Sequence, residues 1–154
     1  MKMLEAGELA PEFTLSGLDG QDRGLAGGRT LLAFFKVSCP VCQFTFPYLE
    51  RLHKNAPAGA AQFIGISQDN SRDTREFLEE FGVTFPMLLD DPGAYAASNG
   101  FRISYVPSMF LVEPDGKVSW ASNGFSRPEL EDLGRRLGAQ TFLASDDVPD
   151  WKSG

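Results

Sequence analysis

The sequence predicts an α/β domain built on a sheet with mixed strand directions. Strand-like and helix-like segments alternate along most of the chain, and a β-hairpin followed by one more helix completes the pattern. The chain has 154 residues, of which 42% are hydrophobic and 23% are charged, as in a single globular domain. We expect one domain over residues 1–144 and a polar, acidic, loose tail over residues 145–154.

Two apolar runs predict strands that are buried on both faces of the sheet. They are Thr30–Phe35 and Gln62–Ser67, and each is followed by a helix-like segment. The first helix is expected over Pro40–Lys54, and the second is expected to have Ser71 or Asp73 as its capping residue and to end at Gly82. This order, followed by the hairpin, fits a sheet in which parallel and antiparallel strands are mixed.

Shorter apolar runs bounded by turn residues predict the remaining elements. They are strands at Phe13–Leu15, Pro86–Leu89, Ser108–Val112 and Lys117–Ala121, and helices at Pro92–Asn99 and from Ser126 onward. Asp115-Gly116 lies between the last two strands and is typical of a hairpin turn. In the final helix Pro128 falls in the first turn, where its missing N–H is tolerated.

Charge and composition exclude several classes of function. The formal net charge is −7, which argues against nucleic acid as a partner because phosphate binding needs clustered Lys and Arg. One His and two Cys are too few for a four-ligand zinc site, so we expect no metal. No apolar run approaches the roughly 18 residues of a transmembrane helix, so we expect no membrane span.

The N-terminal segment shows no apolar signal-peptide core. We therefore expect a cytoplasmic protein, or an exported or periplasmic one if a leader has been trimmed from the sequence. A reducing cytosol disfavours a purely structural disulfide. The two cysteines are then structural, idle, or the chemistry itself.

The cysteine pair follows directly on the first buried strand and opens the next helix. Pro40 suits the first helical turn, which places Cys39 at or near the N-cap. A thiolate there faces unpaired N–H groups and the positive end of the helix dipole, and such settings lower a thiol pKa to roughly 3.5–7.5. Cys42 lies one turn later and deeper in the helix. We expect Cys39 to be the nucleophile and Cys42 the resolving thiol.

Three other interpretations of the pair remain open at this point. Buried cysteines are common in protein cores, so the two could be neighbours by chance. His53 is the only other good soft ligand, which leaves at most half of a zinc site. A static disulfide across so short a loop restrains the unfolded chain very little. Redox chemistry is favoured because a buried strand precedes the pair and a helix follows it.

Four segments, in order along the chain, carry a resemblance to a known family. They are Gly7–Leu15 with the pattern G-x-x-A-P-x-F-x-L, Leu31–Pro47 with a strand, C-P-x-C and a helix that contains a proline, Phe63–Asp69, and Val106–Val118 with a Val-Pro pair and a hairpin. Together they resemble the thioredoxin superfamily, and specifically the TlpA/ResA-like thiol–disulfide oxidoreductases. Those proteins share a redoxin (AhpC/TSA-like) domain with the peroxiredoxins.

The resemblance implies a thioredoxin-like fold, with a central mixed sheet flanked by helices and an N-terminal extension of redoxin type. It also implies a cis bond between Val106 and Pro107, placed beside Cys39. Val106 and Pro107, with Pro40 and Val41 of the C-P-V-C turn, would then bind an extended substrate segment.

The function implied by the resemblance is dithiol–disulfide exchange between the Cys39–Cys42 pair and protein thiols or disulfides. An upstream dithiol reductant or oxidant would reset the pair. No cofactor is expected, because the electrons are carried on sulfur. The protein is expected to be a monomer.

Two positions depart from the resemblance. Many TlpA/ResA-like proteins have a Glu three residues after the second cysteine, where it is thought to transfer protons, and Thr45 stands there. The position before the first cysteine is often Trp and here is Ser38. Glu50 and Asp69 are expected to be surface or capping residues rather than replacements for the missing acid.

A thiol peroxidase of the peroxiredoxin (AhpC/TSA antioxidant) type, using the same cysteines, is the alternative function. The peroxiredoxin nucleophile lies in a P-x-x-x-T-x-x-C loop, but Leu32 and Lys36 occupy the Pro and Thr places. Arg102 and Arg127 are the candidates for the peroxide-binding arginine, and each is expected to be a surface charge. A third interpretation is a non-catalytic interaction module that uses the groove around Pro107.

Overall fold

A seven-stranded mixed sheet forms the centre of the protein. The computed structural model describes residues 2–154. The strands of this sheet are β1 (Leu15–Gly17), β2 (Asp22–Arg23), β3 (Thr30–Phe35), β4 (Gln62–Ser67), β5 (Met87–Leu89), β6 (Ser108–Val112) and β7 (Val118–Asn123). They lie in the order β2-β1-β5-β4-β3-β6-β7.

Four helices and a second, two-stranded sheet complete the fold. The helices are α1 (Pro40–Asn55), α2 (Ser71–Phe81), α3 (Ala96–Gly100) and α4 (Arg127–Leu137), and the small sheet pairs β8 (Phe125–Ser126) with β9 (Trp151–Lys152). Among residues 2–154 there is no helix long and apolar enough to cross a membrane.

The interior strand β3 separates two hydrophobic clusters. It pairs in parallel with β4 and antiparallel with β6, and all six of its residues are buried. Leu31 and Phe35 point into the cluster under α1, α2 and α4, whereas Leu32 and Phe34 point into the cluster under the N-terminal segment and α3. This alternation is the reason that the run reads as apolar throughout, because both faces of the strand are covered.

The mixed sheet and the long elements agree with the sequence-based predictions. β4 has the predicted bounds, and α1 extends one residue beyond the predicted Lys54. α2 begins at Ser71 because Asn70, rather than the expected Ser71 or Asp73, is its N-cap residue. The hairpin turn is also present, with Gly116 in the left-handed region at a φ of 86°. Long periodic segments are predicted well because their burial pattern is regular.

The short elements differ more from the predictions. β1 begins at Leu15, two residues later than predicted, and the exposed strand β2 was not predicted because it has no apolar pattern. α3 begins at Ala96, since the buried carboxylate of Asp90 accepts hydrogen bonds from the backbone N–H groups of Ala97 and Ser98. This side chain lies outside the helix, so the local sequence does not reveal the start.

The acidic tail, which is expected from its composition to be loose, contacts the rest of the domain in the structure. Val148 is buried, and Asp146 forms an ion pair with Arg51 at 2.6 Å. Residues Trp151–Lys152 then form β9 against β8. A few apolar and charged contacts thus fix a segment whose composition is typical of a mobile terminus.

Candidate active site

The two thiols lie at the start of α1, directly after the carboxyl end of β3. Cys39 is the N-cap residue and Pro40 occupies the first turn, as the sequence predicts. The Cys39 Sγ accepts a hydrogen bond from the backbone N–H of Cys42 at 3.1 Å. The sulfur therefore satisfies one of the unpaired N–H groups that every helix start presents.

Cys39 is set up to be a thiolate near neutral pH. The Cys42 thiol donates a hydrogen bond to it, and the backbone N–H groups of Cys42 and Val41 do the same. Partial burial opposes ionisation, but the hydrogen bonds outweigh it and lower the pKa of Cys39 to about 6. At pH 7 the thiolate is then the main form, and the thiolate is the reactive species.

Cys42 has the opposite protonation preference. Its side chain is 0% exposed, and this burial, together with its hydrogen bond to the Cys39 sulfur and the charge there, raises the pKa of Cys42 far above its usual range. Both cysteines are free thiols. Cys42 thus remains a protonated donor while Cys39 carries the charge.

The loop before β6 faces Cys39 across a cavity. The Val106–Pro107 peptide bond is cis, as the family resemblance implies, and the carbonyl oxygen of Val106 lies 3.5 Å from the Cys39 Sγ. The cavity has a volume of about 480 Å³ and opens to solvent. Its lining consists of Lys36, Ser38, Cys39, Pro40, Gln68, Ile103, Ser104, Tyr105, Val106 and Gly154.

The proposed substrate-binding residues occupy three kinds of position. Pro40 and Val106 line the cavity with Cys39. Val41 is partly buried and packs against the cluster under α1. Pro107 is buried behind Val106, so its effect on the groove is exerted through the path of the main chain.

Asp69 and Gln43 hold the segment before Cys39, and the sequence did not reveal this arrangement. The Asp69 carboxylate accepts a hydrogen bond from the N–H of Val37 at 2.8 Å, and the Gln43 amide donates one to the Val37 carbonyl at 2.9 Å. Asp69 is therefore a positioning residue rather than a surface charge. It lies 32 residues from Val37 along the chain, so no local motif could have indicated the contact.

Glu50 and Thr45 are both buried, but neither supplies an acid to the thiols. Glu50 accepts hydrogen bonds from the N–H and the hydroxyl of Thr84, so it serves to fix that loop rather than lying on the surface. Thr45 is 0% exposed, and its hydroxyl has no hydrogen-bond partner among residues 2–154. The place where related proteins carry a Glu thus holds an isolated hydroxyl.

The two candidate arginines of the peroxidase alternative lie away from the thiol cavity. Arg102 binds Glu8 at 2.7 Å, and Arg127 lies over the ring of Phe142. Neither lines the cavity that contains Cys39. Leu32 and Lys36, at the Pro and Thr places of the peroxiredoxin loop, also depart from the peroxidase pattern.

A comparison with protein-family models shows to which family the chain belongs. The model described as the AhpC/TSA family matches residues 6–121, which is most of the chain. The chain belongs to the AhpC/TSA family. The matched region contains both thiols, the cis-proline loop and most of the terminal hairpin, so the resemblance seen in the motifs is confirmed.

Curated relatives of this AhpC/TSA protein carry names of two kinds. Thiol-disulfide oxidoreductase ResA of Geobacillus thermodenitrificans (strain NG80-2) is 28% identical over 116 residues, covering 73% of this chain and 66% of the relative. A Mycobacterium tuberculosis (strain H37Rv) protein provisionally named peroxiredoxin Rv2521 is 31% identical over 130 residues. The match covers 75% of this chain and 82% of that protein. The chain spans just under two thirds of the length of the ResA relative.

A solved structure confirms the thioredoxin-like fold. The thioredoxin domain of thiol-disulfide oxidoreductase BVU-2223 from Bacteroides vulgatus superposes with a TM-score of 0.74 at 23% identity. The superposition covers 86% of this chain and 97% of that domain. At this level of identity the similarity establishes the fold alone.

Proposed function

We propose that the protein exchanges dithiol for disulfide with protein partners through the Cys39–Cys42 pair. The observation that carries this function is the opposite protonation of two adjacent thiols. Cys39 has a pKa of about 6 and lies on an open cavity, whereas Cys42 is buried and its pKa is raised. Cys39 is thus the thiolate that attacks the partner first, and Cys42 is the protonated thiol that attacks afterwards.

The exchange takes two steps. The Cys39 thiolate attacks a partner disulfide, a Cys39–partner S–S bond forms as the partner's bond breaks, and the released partner thiolate takes up a proton. Cys42 then loses its proton and attacks the Cys39 Sγ, which forms the Cys39–Cys42 disulfide and releases the second partner thiolate to be protonated. Two electrons pass from the protein to the partner, and an upstream dithiol reductant restores the pair. With a disulfide oxidant upstream, every step runs in reverse.

The order of the two steps follows from the coupling between the sulfurs. Burial is the main cause of the raised pKa of Cys42, and the hydrogen bond to the Cys39 sulfur and the charge there raise it further. Formation of the mixed disulfide removes the charge from Cys39, so the pKa of Cys42 falls when its attack is needed. Cys42 therefore ionises more readily once a partner has been bound.

The partner would dock as an extended segment beside the cis-proline loop. The main chain of Val106 lies next to the Cys39 sulfur, where it can pair with a partner strand. Pro40 forms another wall of the same cavity. We assign Val106 and Pro40 to direct contact with the partner, and Pro107 and Val41 to shaping that surface.

The decisive experiment traps the intermediate. With Cys42→Ser, a mixed disulfide between Cys39 and a scrambled test protein that contains mispaired disulfides should accumulate and should be released by dithiothreitol. The matched control is Cys39→Ser, which keeps Cys42 and should give no adduct because that thiol is buried and protonated. Absence of any adduct with Cys42→Ser, together with no reduction of insulin disulfides by the unchanged protein, would contradict the proposal.

A thiol peroxidase is the second candidate, supported by the similarity to the mycobacterial protein. The cavity that contains Cys39 is lined by no arginine among the described residues, so the groups that polarise a peroxide are missing. We expect oxidation of Cys39 by hydrogen peroxide to be no faster than that of a small thiolate with the same pKa. A stopped-flow rate constant orders of magnitude higher would favour the peroxidase instead.

A further inference from the structure

The final residues of the described chain lie on the rim of the thiol cavity. Trp151–Lys152 pairs with Phe125–Ser126 in an antiparallel ladder. Gly154 lines the same cavity as Cys39. A Cβ atom placed on Gly154 would stand 2.3 Å from the carbonyl oxygen of Val106. The main chain of Gly154 is therefore in close contact with the main chain of Val106.

This contact occupies the position that an incoming partner strand needs. We propose that residues 151–154, here called the C-terminal cap, cover the Val106 side of the groove and compete with the partner's extended segment. The inference rests on the proposed function, since it concerns access to the same groove. It assigns to the tail a regulatory role in partner binding.

The cap is fastened by few interactions. Its ladder with β8 has two residue pairs, and the Lys152 ammonium lies 5.1 Å from the centre of the Phe44 ring. A two-stranded ladder of this length is marginal on its own. The cap can therefore open at a small fraction of the free energy of global unfolding.

The segment before the cap is held more firmly. Val148 is buried, and Asp146 pairs with Arg51 while also accepting the N–H of Leu143. Opening of the cap leaves these contacts in place. Residues 151–154 are thus a short movable segment that follows a fixed one.

Two glycines permit the close approach of the cap. Besides Gly154, Gly124 lies beneath the cap in the left-handed region at a φ of 67°, and a Cβ there would stand 2.5 Å from the Lys152 carbonyl oxygen. A side chain at either position would push the cap away from the groove. This sensitivity supplies a point substitution that opens the cap without shortening the chain.

The cap discriminates by the shape of the incoming molecule. The Cys39 sulfur remains accessible through the cavity of about 480 Å³, so a small reagent reaches it with the cap closed. An extended backbone that pairs with Val106 must displace Gly154 first. Removal of the cap should then raise reactivity toward an extended peptide and leave reactivity toward a small molecule unchanged.

The test compares alkylation of Cys39 by iodoacetamide with alkylation by an extended peptide that carries an iodoacetyl group. A chain that ends at Asp150 should react with the peptide about tenfold faster, which corresponds to a cap closed in about nine of ten molecules. Gly154→Ala should give a smaller rise in the same direction. The matched control is Gly28→Ala, because a Cβ at Gly28 would have its nearest neighbour at 3.7 Å, and it should change neither rate.

Two results would overturn the inference. One is a peptide rate that stays the same or falls in the shortened chain, because the cap would then not compete with an extended segment. The other is an equal rise with both reagents, which would show a general loosening around Cys39. If the shortened chain does not fold, Gly154→Ala decides alone. Alkylation involves no disulfide, so a chain inert toward protein disulfides would contradict the proposed function and leave this result intact.

Discussion

The two ends of the Cys39–Cys42 turn are separated by one helical turn and have contrasting environments. Cys39 lies at the cap of α1 on an open cavity, with donors around it. Cys42 is fully buried against the hydrophobic cluster under α1. The same chemical group therefore has a pKa of about 6 at one end and a strongly raised pKa at the other. Position in the helix, rather than residue type, accounts for the opposite pKa shifts of the two sulfurs.

The contrast also shows how the surroundings of each thiol are maintained. The segment before Cys39 is fixed by polar contacts from Asp69 and Gln43. The environment of Cys42 is fixed by apolar packing, next to Thr45, whose hydroxyl is left without a partner. Substitutions of polar groups should therefore mainly affect the surroundings of Cys39. Substitutions that change buried volume or buried polarity should mainly affect the surroundings of Cys42.

The largest expected effect is the difference in reactivity between the two thiols. In the reduced protein at pH 7, iodoacetamide should modify Cys39 at least about a hundredfold faster than Cys42, because only Cys39 is a thiolate there. The Cys39 rate should rise about tenfold between pH 5 and pH 7 and level off above pH 7, because the pKa of Cys39 is about 6. Peptide mass analysis after timed quenching measures both alkylation rates. A pH profile for Cys39 with its midpoint at about 8.5, the pKa of a free thiol, would contradict the proposed difference between the two thiols.

The pH dependence of stability should reveal the two thiols with opposite signs. The pKa of Cys39 is lowered by folding, so its contribution is complete above about pH 8.5 and is lost as the pH falls toward 6. The pKa of Cys42 is raised by folding, so its contribution is present below about pH 8.5 and is lost as the pH rises further. Urea unfolding of the reduced protein from pH 5 to 10 measures the combined curve.

Two variants separate these contributions. Cys39→Ser should flatten the rise in the free energy of unfolding between about pH 6 and 8.5. Cys42→Ser should flatten the fall at higher pH. The same curve for both variants would show that neither thiol is coupled to folding as the structure indicates.

Removal of the Asp69 carboxylate should affect the Cys39 end next most strongly. Asp69→Ala leaves the Val37 N–H without its charged acceptor, and such bonds contribute about 1.5–3 kcal/mol. The free energy of unfolding should fall by about this amount, and Asp69→Asn should recover about half of it because its oxygen can still accept. Urea denaturation checks both values. Equal losses for the two variants would show that the hydrogen bond is not the cause.

The smallest expected effect concerns the Cys42 end. Thr45→Val removes a buried hydroxyl that has no partner among the described residues and keeps the side-chain shape, so it should stabilise the protein by about 1 kcal/mol. Thr74→Val is the matched control, because that buried hydroxyl bonds to Ser67 at 2.7 Å and its loss should destabilise by about 1–2 kcal/mol. Thermal unfolding of both variants measures the difference, and a destabilised Thr45→Val would show that the hydroxyl is bonded after all.

The sequence by itself determined the mixed sheet, the long helices and the order of the two thiols. Burial on both faces leaves an unbroken apolar run at Thr30–Phe35, and a Cys-Pro step directly after it marks the start of a helix. Both signals are local, so they can be read without a structure. The same is true of the hairpin turn at Asp115-Gly116.

The tertiary structure alone decided what surrounds those thiols. Three contacts illustrate this: Asp69 binds the Val37 N–H, Asp90 binds the first turn of α3, and Gly154 packs against Val106 in the groove. Each joins residues that are separated in the chain or that lack a local sequence pattern. Contacts of this kind depend on how whole elements pack, and a polar or flexible segment carries no periodic signal of its own partner. A short motif thus indicates the proposed nucleophile and the direction of its pKa shift, whereas the support of its segment and the access to it arise from the fold.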